Sequence, residues 1–394
     1  MSLPDLIFVS LENWDHIRRR NQFVCAELAK RYPDRKILFV APPRDVSAWI
    51  RTRERSLIDG PTTWSVPSSP NITVTRPLKL LPNSIAIGRS INEALARRHV
   101  NRVARQLGLR TPTLWLNPHD AVHMVGRMGE VATVYDITDD WTSFSQSPAL
   151  TDRIRKQDAA LCERADAVIV CSQHLFDLKR SLASNLHLVR NGVDLEHYRG
   201  GIDDGTPAPD ICNSWAKPVF GYTGTIHGDR LDVPLVAQVA DRMDEGSIVL
   251  IGPNHLSTDD MSTLEQSGRV HCVDAVPYDV LPQYMKAIDV CFVPHRMTDF
   301  TESLDPIKLW EYLAAGMPIV ATDIAGFRDF PDVVRTAATT DELINAMQEA
   351  VREGDALTDQ RRSIADKHSW SARVDAIESI LRSVTCPTNR QSSR

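Results

Sequence analysis

Short runs of apolar, often β-branched residues alternate with longer helix-compatible segments along most of the chain. Apolar runs of this kind are typical of parallel strands that are covered on both faces. In the first half, the predicted strands are residues 6–10, 36–42, 72–76, 113–117, 132–137, 166–172 and 186–192. In the second half, they are residues 218–224, 247–253, 269–273, 289–294 and 318–323. The repeated order of strand and helix predicts a doubly wound α/β architecture.

The strand series is interrupted once, at residues 196–217, where Gly, Pro and Asp dominate and the periodicity is lost. Such a composition is expected of an interdomain linker, and 394 residues exceed what one core usually serves. We therefore predict two Rossmann-like domains, residues 1–195 and residues 218–368. Residues 369–394 are predicted to form a final amphipathic helix and a frayed tail. A helix that crosses back to the first domain is one of the arrangements that this prediction includes.

Composition and cysteine usage point to a protein of the cytoplasm. The seven cysteines are scattered and form no C-x-x-C pair, which argues against a disulfide framework or a structural zinc site. The first residues lack a signal-peptide pattern, and no apolar run approaches the roughly 18 to 20 residues that span a bilayer.

Positive charge is concentrated in the first half of the chain. Residues 1–200 hold 28 Lys and Arg against 21 Asp and Glu, and the remaining residues hold 17 against 30. The arginines crowd residues 89–110 in particular. This stretch favours contact with an anionic membrane surface or a phosphorylated substrate, and the alternative is a solvated helix face. The acidic overall charge and the absence of a base-stacking motif argue against nucleic acid as a partner.

The segment "LDPIKLWEYLAAGMPIVATD", residues 304–323, reads as a short helix that leads into a buried strand. Asp305 is predicted as its N-cap and Pro306 as its first helical residue. Lys308 and Glu311 are three residues apart and share one side of the helix. A phosphate would be attracted to the helix N-terminus and to Lys308, and Glu311 suits a vicinal diol such as ribose. The alternative for the two residues is a surface ion pair.

Three further turns accompany this helix. Gly221 lies within the predicted strand at 218–224 and Gly224 at its end, and both permit close approach of the backbone to a ligand, although the pattern is not G-x-G-x-x-G. A turn at residues 276–278 follows the strand at 269–273, at an edge where ligands of open α/β sheets bind. "RNGVD" at 190–194 closes the first strand series with an Asn-Gly turn.

Together these segments resemble the group 1 (family 4-like) glycosyltransferases of the GT-B fold. The similarity is greatest to the bacterial branch that builds teichuronic acid and other exopolysaccharides. The matching motifs are "ENWDHIRRRNQFVCAELAKRYP", "CSQHLFDLKR", "NGVD", "GYTGTIHGDRLD", "VLIGP", "VPYDVLPQYMKAIDVCFVP" and "DPIKLWEYLAAGMPIVATD". The resemblance implies two Rossmann-like domains facing each other across a cleft, with the acceptor in the first domain and the nucleotide-diphosphate sugar in the second.

The resemblance also implies roles for particular residues. Glu311 would bind the ribose and Lys308 the diphosphate. Phosphate oxygens would be held by backbone around Gly224 and by the start of the helix. The full set of expected donor-binding residues is Gly224, Thr225, Val276, Pro277, Tyr278, Arg296, Asp305, Pro306, Ile307, Lys308 and Glu311, with Val276 to Tyr278 framing the base.

The sequence departs from the family pattern at two places. Many relatives carry two glutamates eight positions apart, and the first of these positions is Ser303 here, between Glu302 and Asp305. The Arg-Lys pair that many relatives use on the diphosphate is not evident after "GYTG". Arg230 and Arg296 are the two candidates to replace it.

Candidate catalytic residues lie in "VYDITDDWTSF", residues 134–144, at the end of a predicted strand. Asp136, Asp139 and Asp140 are placed where an acceptor hydroxyl would be deprotonated, and the alternative is a structural or capping role. His119 is a further candidate base. The resemblance implies no metal ion and no cofactor beyond the donor.

We therefore expect a hexosyltransferase that moves a sugar, with uridine as the expected nucleoside, to a glycan or lipid-linked acceptor in surface polysaccharide synthesis, at the inner membrane face. Two alternatives remain open: a nucleotide-sugar epimerase of the same fold and a non-catalytic nucleotide-sugar-binding subunit.

Overall fold

The computed structural model describes residues 3–143 and 146–385. The chain divides into two compact units. The first contains the residues up to Arg190 and those from Arg373 onward, and the second is Asn191–Ala372. The predicted tail, residues 386–394, lies outside the described residues.

The strands follow one another along the chain in the positions that the apolar runs indicated, with four additions. They are β1 Leu6–Val9, β2 Ile37–Val40, β3 Arg44–Asp45, β4 Thr63–Val66, β5 Ser69–Thr75, β6 Leu78–Lys79, β7 Thr113–Leu116, β8 Ala132–Ile137, β9 Ala167–Val170, β10 Leu186–Leu188, β11 Val219–Thr223, β12 Ser247–Ile251, β13 Val270–Val273, β14 Val290–Val293, β15 Ile319–Thr322 and β16 Val334–Ala337. Strands β3, β4, β6 and β16 were not predicted, because they are short or half-exposed and lack a continuous apolar run.

The helices connect these strands and cover the sheets. They are α1 Arg20–Arg31, α2 Val46–Thr52, α3 Ala86–Leu107, α4 Pro148–Arg164, α5 Gln173–Lys179, α6 Leu195–Asp203, α7 Val233–Arg242, α8 Thr258–Glu265, α9 Leu281–Met285, α10 Asp299–Glu302, α11 Ile307–Ala315, α12 Thr340–Glu353, α13 Thr358–Asp366 and α14 Trp370–Thr385. Short 3-10 helices lie at Arg55–Leu57, His119–Met124, Asp210–Ser214, Tyr278–Val280 and Gly354–Leu357. Among the helices that the structure describes, none has both the length and the apolar character required to cross a bilayer.

The first unit is built on an eight-stranded sheet in the order β10-β9-β8-β7-β1-β2-β5-β4. All its pairs are parallel except the edge hairpin of β4 and β5. Five of its strands, β1, β2, β7, β8 and β9, are buried along their whole length, which explains their largely apolar character. The order reverses beside β1, so ligands are expected at the carboxyl ends of β1 and its neighbours.

The second unit is built on a six-stranded, fully parallel sheet in the order β13-β12-β11-β14-β15-β16. Strand β11 lies beside both β12 and β14, so the strand order reverses there and the ligand edge is the carboxyl end of β11. Helix α11 is fixed to this edge, because the Tyr312 hydroxyl accepts a hydrogen bond from the Thr223 N–H at 2.9 Å. The prediction of a doubly wound α/β fold is confirmed in each unit.

The prediction that residues 196–217 form an interdomain linker is corrected by the structure. These residues form helix α6 and a 3-10 helix, and they belong to the second unit. Tyr198, Cys212 and Trp215 are buried in the core of that unit. The segment is rich in Gly and Pro, and these three buried residues are widely spaced in it. A search for apolar periodicity therefore does not detect them. At the other end of the chain, α14 contacts the first unit, where Arg31 forms ion pairs with Asp375 and Glu378.

Candidate functional site

The amino-terminal end of α11 is free of a side-chain cap. Pro306 is the N-cap residue. The Asp305 carboxylate accepts a hydrogen bond from the Asn191 N–H at 2.5 Å, and the Asn191 amide donates to the Asp305 carbonyl at 2.6 Å. The prediction that Asp305 caps the helix is therefore wrong, because its carboxylate is hydrogen-bonded to the Asn-Gly turn at Asn191 instead. As a result, the N–H groups of Ile307 and Lys308 have no side-chain acceptor in the described part of the chain and remain available to an anion.

Lys308 extends over the turn at Gly224. This glycine has a φ of +137°, and a Cβ placed there would lie 2.3 Å from Lys308 Cε and 2.5 Å from its Nζ. The ammonium lies 5.0 Å from the centroid of the Tyr222 ring. Within residues 3–143 and 146–385, no carboxylate forms an ion pair with Lys308. The alternative of a surface ion pair between Lys308 and Glu311 is therefore not observed, and the Lys308 ammonium remains available to a ligand.

A second cation lies near the same turn. The Arg230 guanidinium is 5.3 Å from the Phe300 ring centroid and has no ion pair among the described residues. Burial lowers the pKa of His295 well below its usual value, and the charges of Lys308 and Arg230 lower it further. Both cations therefore lie near one buried side chain, His295. Arg296 is exposed, and only its backbone N–H contacts Arg230, at 2.7 Å.

Glu311 is half-buried, one turn into α11. Burial raises the pKa of its carboxyl, while the nearby Tyr198 hydroxyl and the charge of Lys308 lower it in part. Tyr198 comes from α6 and is itself buried. The segment that was predicted as a linker thus supplies a neighbour of the carboxyl that is proposed to bind ribose.

The turn predicted to frame the base follows β13. Pro277 is exposed, and Val276 packs against the core of the unit. The Tyr278 ring stacks on His197, with the centroids 3.9 Å apart and an angle of 14° between the planes. The Tyr278 ring is therefore packed against α6, and its contact with a nucleotide base stays a prediction. The Thr225 carbonyl accepts a hydrogen bond from the Tyr222 hydroxyl at 3.1 Å.

Ser303 and its acidic neighbours do not recreate the first family glutamate. Ser303 is fully buried, and its hydroxyl donates to the Phe300 carbonyl at 2.7 Å. Glu302 forms a two-pronged ion pair with Arg328 at 2.8 and 2.9 Å. Since Asp305 is held by Asn191, neither acid replaces the missing carboxylate in this structure.

In the first unit, Asp136 is structural. It is fully buried, and both its oxygens accept hydrogen bonds from the buried Arg20 at 3.2 Å. A carboxylate held by a buried guanidinium is a poor base, since protonating the carboxylate would leave the buried guanidinium charge unpaired. The prediction that Asp136 is catalytic is therefore corrected: the arginine run at 18–20 supplies its partner.

The two following aspartates differ from each other. Asp140 is buried, and one of its oxygens accepts hydrogen bonds from the Thr142 N–H at 3.0 Å and the Thr142 hydroxyl at 2.7 Å. This arrangement is a turn contact, as the capping alternative predicted. Asp139 is half-buried, and the Thr138 hydroxyl donates to it at 3.0 Å. His119 is half-buried beside Gln157, with 3.1 Å between Nδ1 and Oε1.

Glu12 is a titratable group that the sequence reasoning missed. It follows β1, and its Oε2 is buried without a hydrogen-bond partner in the part of the chain that the structure describes. Burial raises its pKa to about 7, Arg19 opposes the rise, and the charge of Asp139 adds to it. A carboxyl that titrates near neutrality at the ligand edge of a sheet suits proton transfer. Its position directly after the first apolar strand was the available signal.

Comparisons with known proteins agree with this arrangement. Residues 217–353 match the family described as Glycosyl transferases group 1. That match covers the second unit's sheet, the Gly224 turn and α11.

A curated relative that the chain resembles is the putative teichuronic acid biosynthesis glycosyltransferase TuaH of Bacillus subtilis strain 168. It is 26% identical over 203 residues, which cover 48% of this chain and 50% of the relative. The chain thus matches about half the length of the curated relative. The predicted resemblance to the teichuronic-acid branch is confirmed at this level.

Solved structures match nearly the whole chain. Sucrose-phosphate synthase from Thermosynechococcus elongatus has a TM-score of 0.72 at 14% identity, covering 97% of this chain and 99% of that one. HepE of Anabaena in complex with UDP-glucose has 0.67 at 16%, covering 96% and 99%. The trehalose 6-phosphate synthase of Burkholderia multivorans has 0.69 at 11%, covering 97% and 99%. These similarities confirm the GT-B fold.

Proposed function

We propose that the chain transfers a hexosyl group from a nucleotide-diphosphate sugar to a glycan or lipid-linked acceptor in surface polysaccharide synthesis. The observation that carries the proposal is the uncapped start of α11 with Lys308 in its first turn, and Arg230 as a second cation near His295; neither cation forms an ion pair among the described residues. Two cations and free N–H groups at one sheet edge suit a diphosphate. The group 1 family match and the TuaH relative support the reaction class.

In the proposed reaction, the acceptor oxygen bonds to the anomeric carbon while the bond from that carbon to the diphosphate oxygen breaks. Negative charge develops on the leaving nucleoside diphosphate. Lys308, Arg230 and the N–H groups of Ile307 and Lys308 stabilise that charge, which is the largest single contribution in such sites. Glu311 holds the ribose hydroxyls. These cations supply positive charge without a divalent ion, so we propose metal-independent transfer.

The hydroxyl proton of the acceptor needs a base, and we propose Glu12 for this role in the first unit. Of the acids near the carboxyl ends of β1 and β8, Asp136 and Asp140 are held by Arg20 and Thr142. Burial raises the pKa of Glu12 to about 7, and the charge of Asp139 contributes to the rise. Asp139 is thus retained as a residue that tunes the base.

Uridine is the proposed nucleoside. HepE, which shares the fold, has been solved with UDP-glucose and with UDP and glucose. Release of UDP from UDP-sugars in the presence of bacterial glycan acceptors would test the assignment. Turnover should fall on the order of a hundredfold in Lys308→Met, because one charge contact to the transition state is lost. Lys367→Met, an exposed lysine of the same unit, is the matched control. Equal turnover in both variants would remove the site from the proposal.

The missing first glutamate favours a second candidate, a subunit that binds the donor without transfer. Ser303 lacks a carboxylate, and Glu302 is occupied by Arg328. This candidate predicts nucleotide-sugar binding with no released UDP on any acceptor. The epimerase alternative would instead yield an isomer of the donor when no acceptor is present.

A further inference from the structure

A band of apolar side chains is exposed where the chain of the first unit enters α3. Its members are 37% to 70% exposed, and we name them the apolar band: Leu78, Leu80, Leu81, Ile85, Ile87 and Ile91. Single exposed apolar residues are ordinary on protein surfaces, but six within residues 78–91 form a patch. A patch of this kind indicates an interaction surface.

The apolar band is held in place by polar contacts beneath it. The buried Asn92 side chain accepts hydrogen bonds from the Leu80 and Leu81 N–H groups at 3.0 and 3.2 Å, and it donates to the Leu81 carbonyl at 2.8 Å. Gly88 lets the loop lie directly on the helix, since a Cβ there would be 2.8 Å from the Pro82 carbonyl oxygen. The buried Asn92 side chain therefore holds the loop in the conformation that exposes these apolar side chains to solvent.

An arginine stripe continues from the apolar band along α3. Arg98, Arg102 and Arg105 are exposed and have no ion pair in the described residues. At 100° per residue they fall on the same face as Ile87 and Ile91. The exposed face of α3 is thus apolar in its first turns and cationic afterwards.

Helix α2 adds a second edge to this surface. Strand β3, which precedes α2, pairs with β6, so α2 lies beside Leu78. Ile50 on α2 is 54% exposed, and Arg51 and Arg53 next to it are exposed and have no ion pair in the described residues. The same combination of an apolar side chain and free cations therefore occurs on both sides of β6.

We propose that the apolar band and the arginine stripe dock the chain on an anionic bilayer. Apolar side chains beside uncompensated cations are what an interfacial lipid surface binds, because the tails take up the apolar groups and the headgroups pair with the cations. A second copy of this chain would bring the same positive surface against itself. Charge complementarity therefore favours the bilayer.

The position of a cavity gives this docking a consequence for the proposed transfer. A cavity of about 260 Å³ lies at the carboxyl ends of β1, β2 and β7, and it is lined by Leu78, Arg89, His119 and Arg153, among others. Leu78 thus belongs to both the cavity wall and the apolar band. Docking would place this cavity at the lipid surface, where a lipid-linked acceptor presents its glycan. This consequence rests on the proposed transfer, whereas the docking itself does not.

Vesicle flotation of the full chain tests the proposal. With phosphatidylglycerol-containing vesicles at low salt, the unchanged chain should float, and with phosphatidylcholine alone its binding should drop on the order of tenfold or more. The double variant Ile85→Gln, Ile87→Gln should lose binding to both compositions. The double variant Arg98→Gln, Arg102→Gln should lose the preference for the anionic lipid. Val131→Gln, an equally exposed apolar residue of the same unit, is the control and should float normally.

Failure of the unchanged chain to float, or normal flotation of the Ile85 and Ile87 variant, would overturn the proposal. A change of oligomeric state in that variant, measured by light scattering, would show that a second copy covers the band and would also overturn it. UDP binding by all variants reports separately on the proposed transfer function. Unchanged UDP binding with lost flotation supports docking independently of the donor site.

Discussion

Replacing Glu12 by Gln should stabilise the first unit and impair transfer at the same time. The native state keeps the Glu12 proton up to a pKa of about 7, against 4.5 for an ordinary glutamate. Between these values the folded chain binds more protons than the unfolded chain, so stability falls as pH rises through this window. Above pH 7, the charged carboxylate opposes folding to its full extent.

The size of the effect follows from the pKa shift. At about 1.4 kcal/mol per pKa unit the shift corresponds to about 3 kcal/mol, and water around the half-buried side chain reduces it to between about 1 and 3 kcal/mol. Glu12→Gln should therefore gain this free energy of unfolding at pH 8 and nothing at pH 4. Glu163→Gln, an exposed glutamate of the same unit, should change little at either pH.

Hydrogen exchange of peptides that cover Leu6–Val9 measures the opening free energy of the first unit, because this strand is buried along its length. The pH profile of UDP release is the second readout. If Glu12 is the base, the rise in kcat/KM near pH 7 should disappear in the Gln variant. Equal opening free energies for Glu12→Gln and Glu163→Gln at pH 8, or a persisting rise near pH 7, would refute the reasoning.

Three further perturbations test other parts of the account. Gly224→Ala should weaken UDP binding on the order of tenfold or more, measured by calorimetry, because the new Cβ displaces Lys308 from a turn with positive φ; unchanged affinity would mean that Lys308 does not contact the nucleotide. Asn191→Ala should lower the thermal unfolding midpoint by removing the buried hydrogen bond from its side-chain amide to the Asp305 carbonyl, at about 1–3 kcal/mol, and an unchanged midpoint would contradict that role. Chelation with EDTA should leave UDP release unchanged, whereas recovery only on adding a divalent ion would contradict metal-independent transfer.

Apolar periodicity was sufficient to predict the two sheets, because strands such as β1, β2 and β11 are buried on both faces and therefore continuously apolar. It failed for residues 196–217, where three separated apolar residues anchor an otherwise polar segment in the core. It also failed for β16, whose Val334 and Ala337 are buried while the residues between them are not.

The spacing of Lys308 and Glu311 was sufficient to predict that both lie on one helix, because this prediction depends only on helical geometry. The sequence did not reveal that Asp305 is held by Asn191 or that Asp136 is held by Arg20. These pairs are 114 and 116 residues apart in the chain, and only the folded chain shows them. The same holds for Glu12, whose raised pKa comes mainly from burial, with smaller contributions from the distant Asp139 and from Asp15 in its own motif.

The central claim, that the start of α11 with Lys308 and Arg230 holds the donor diphosphate, is tested most directly by comparing UDP with uridine. Calorimetric titration gives the ratio of the two dissociation constants in the unchanged chain and in the double variant Lys308→Met, Arg230→Met. The account predicts a ratio on the order of a hundred or more in the unchanged chain, which should collapse towards about one in the variant. A ratio that stays unchanged in the double variant would place the diphosphate elsewhere and contradict the account.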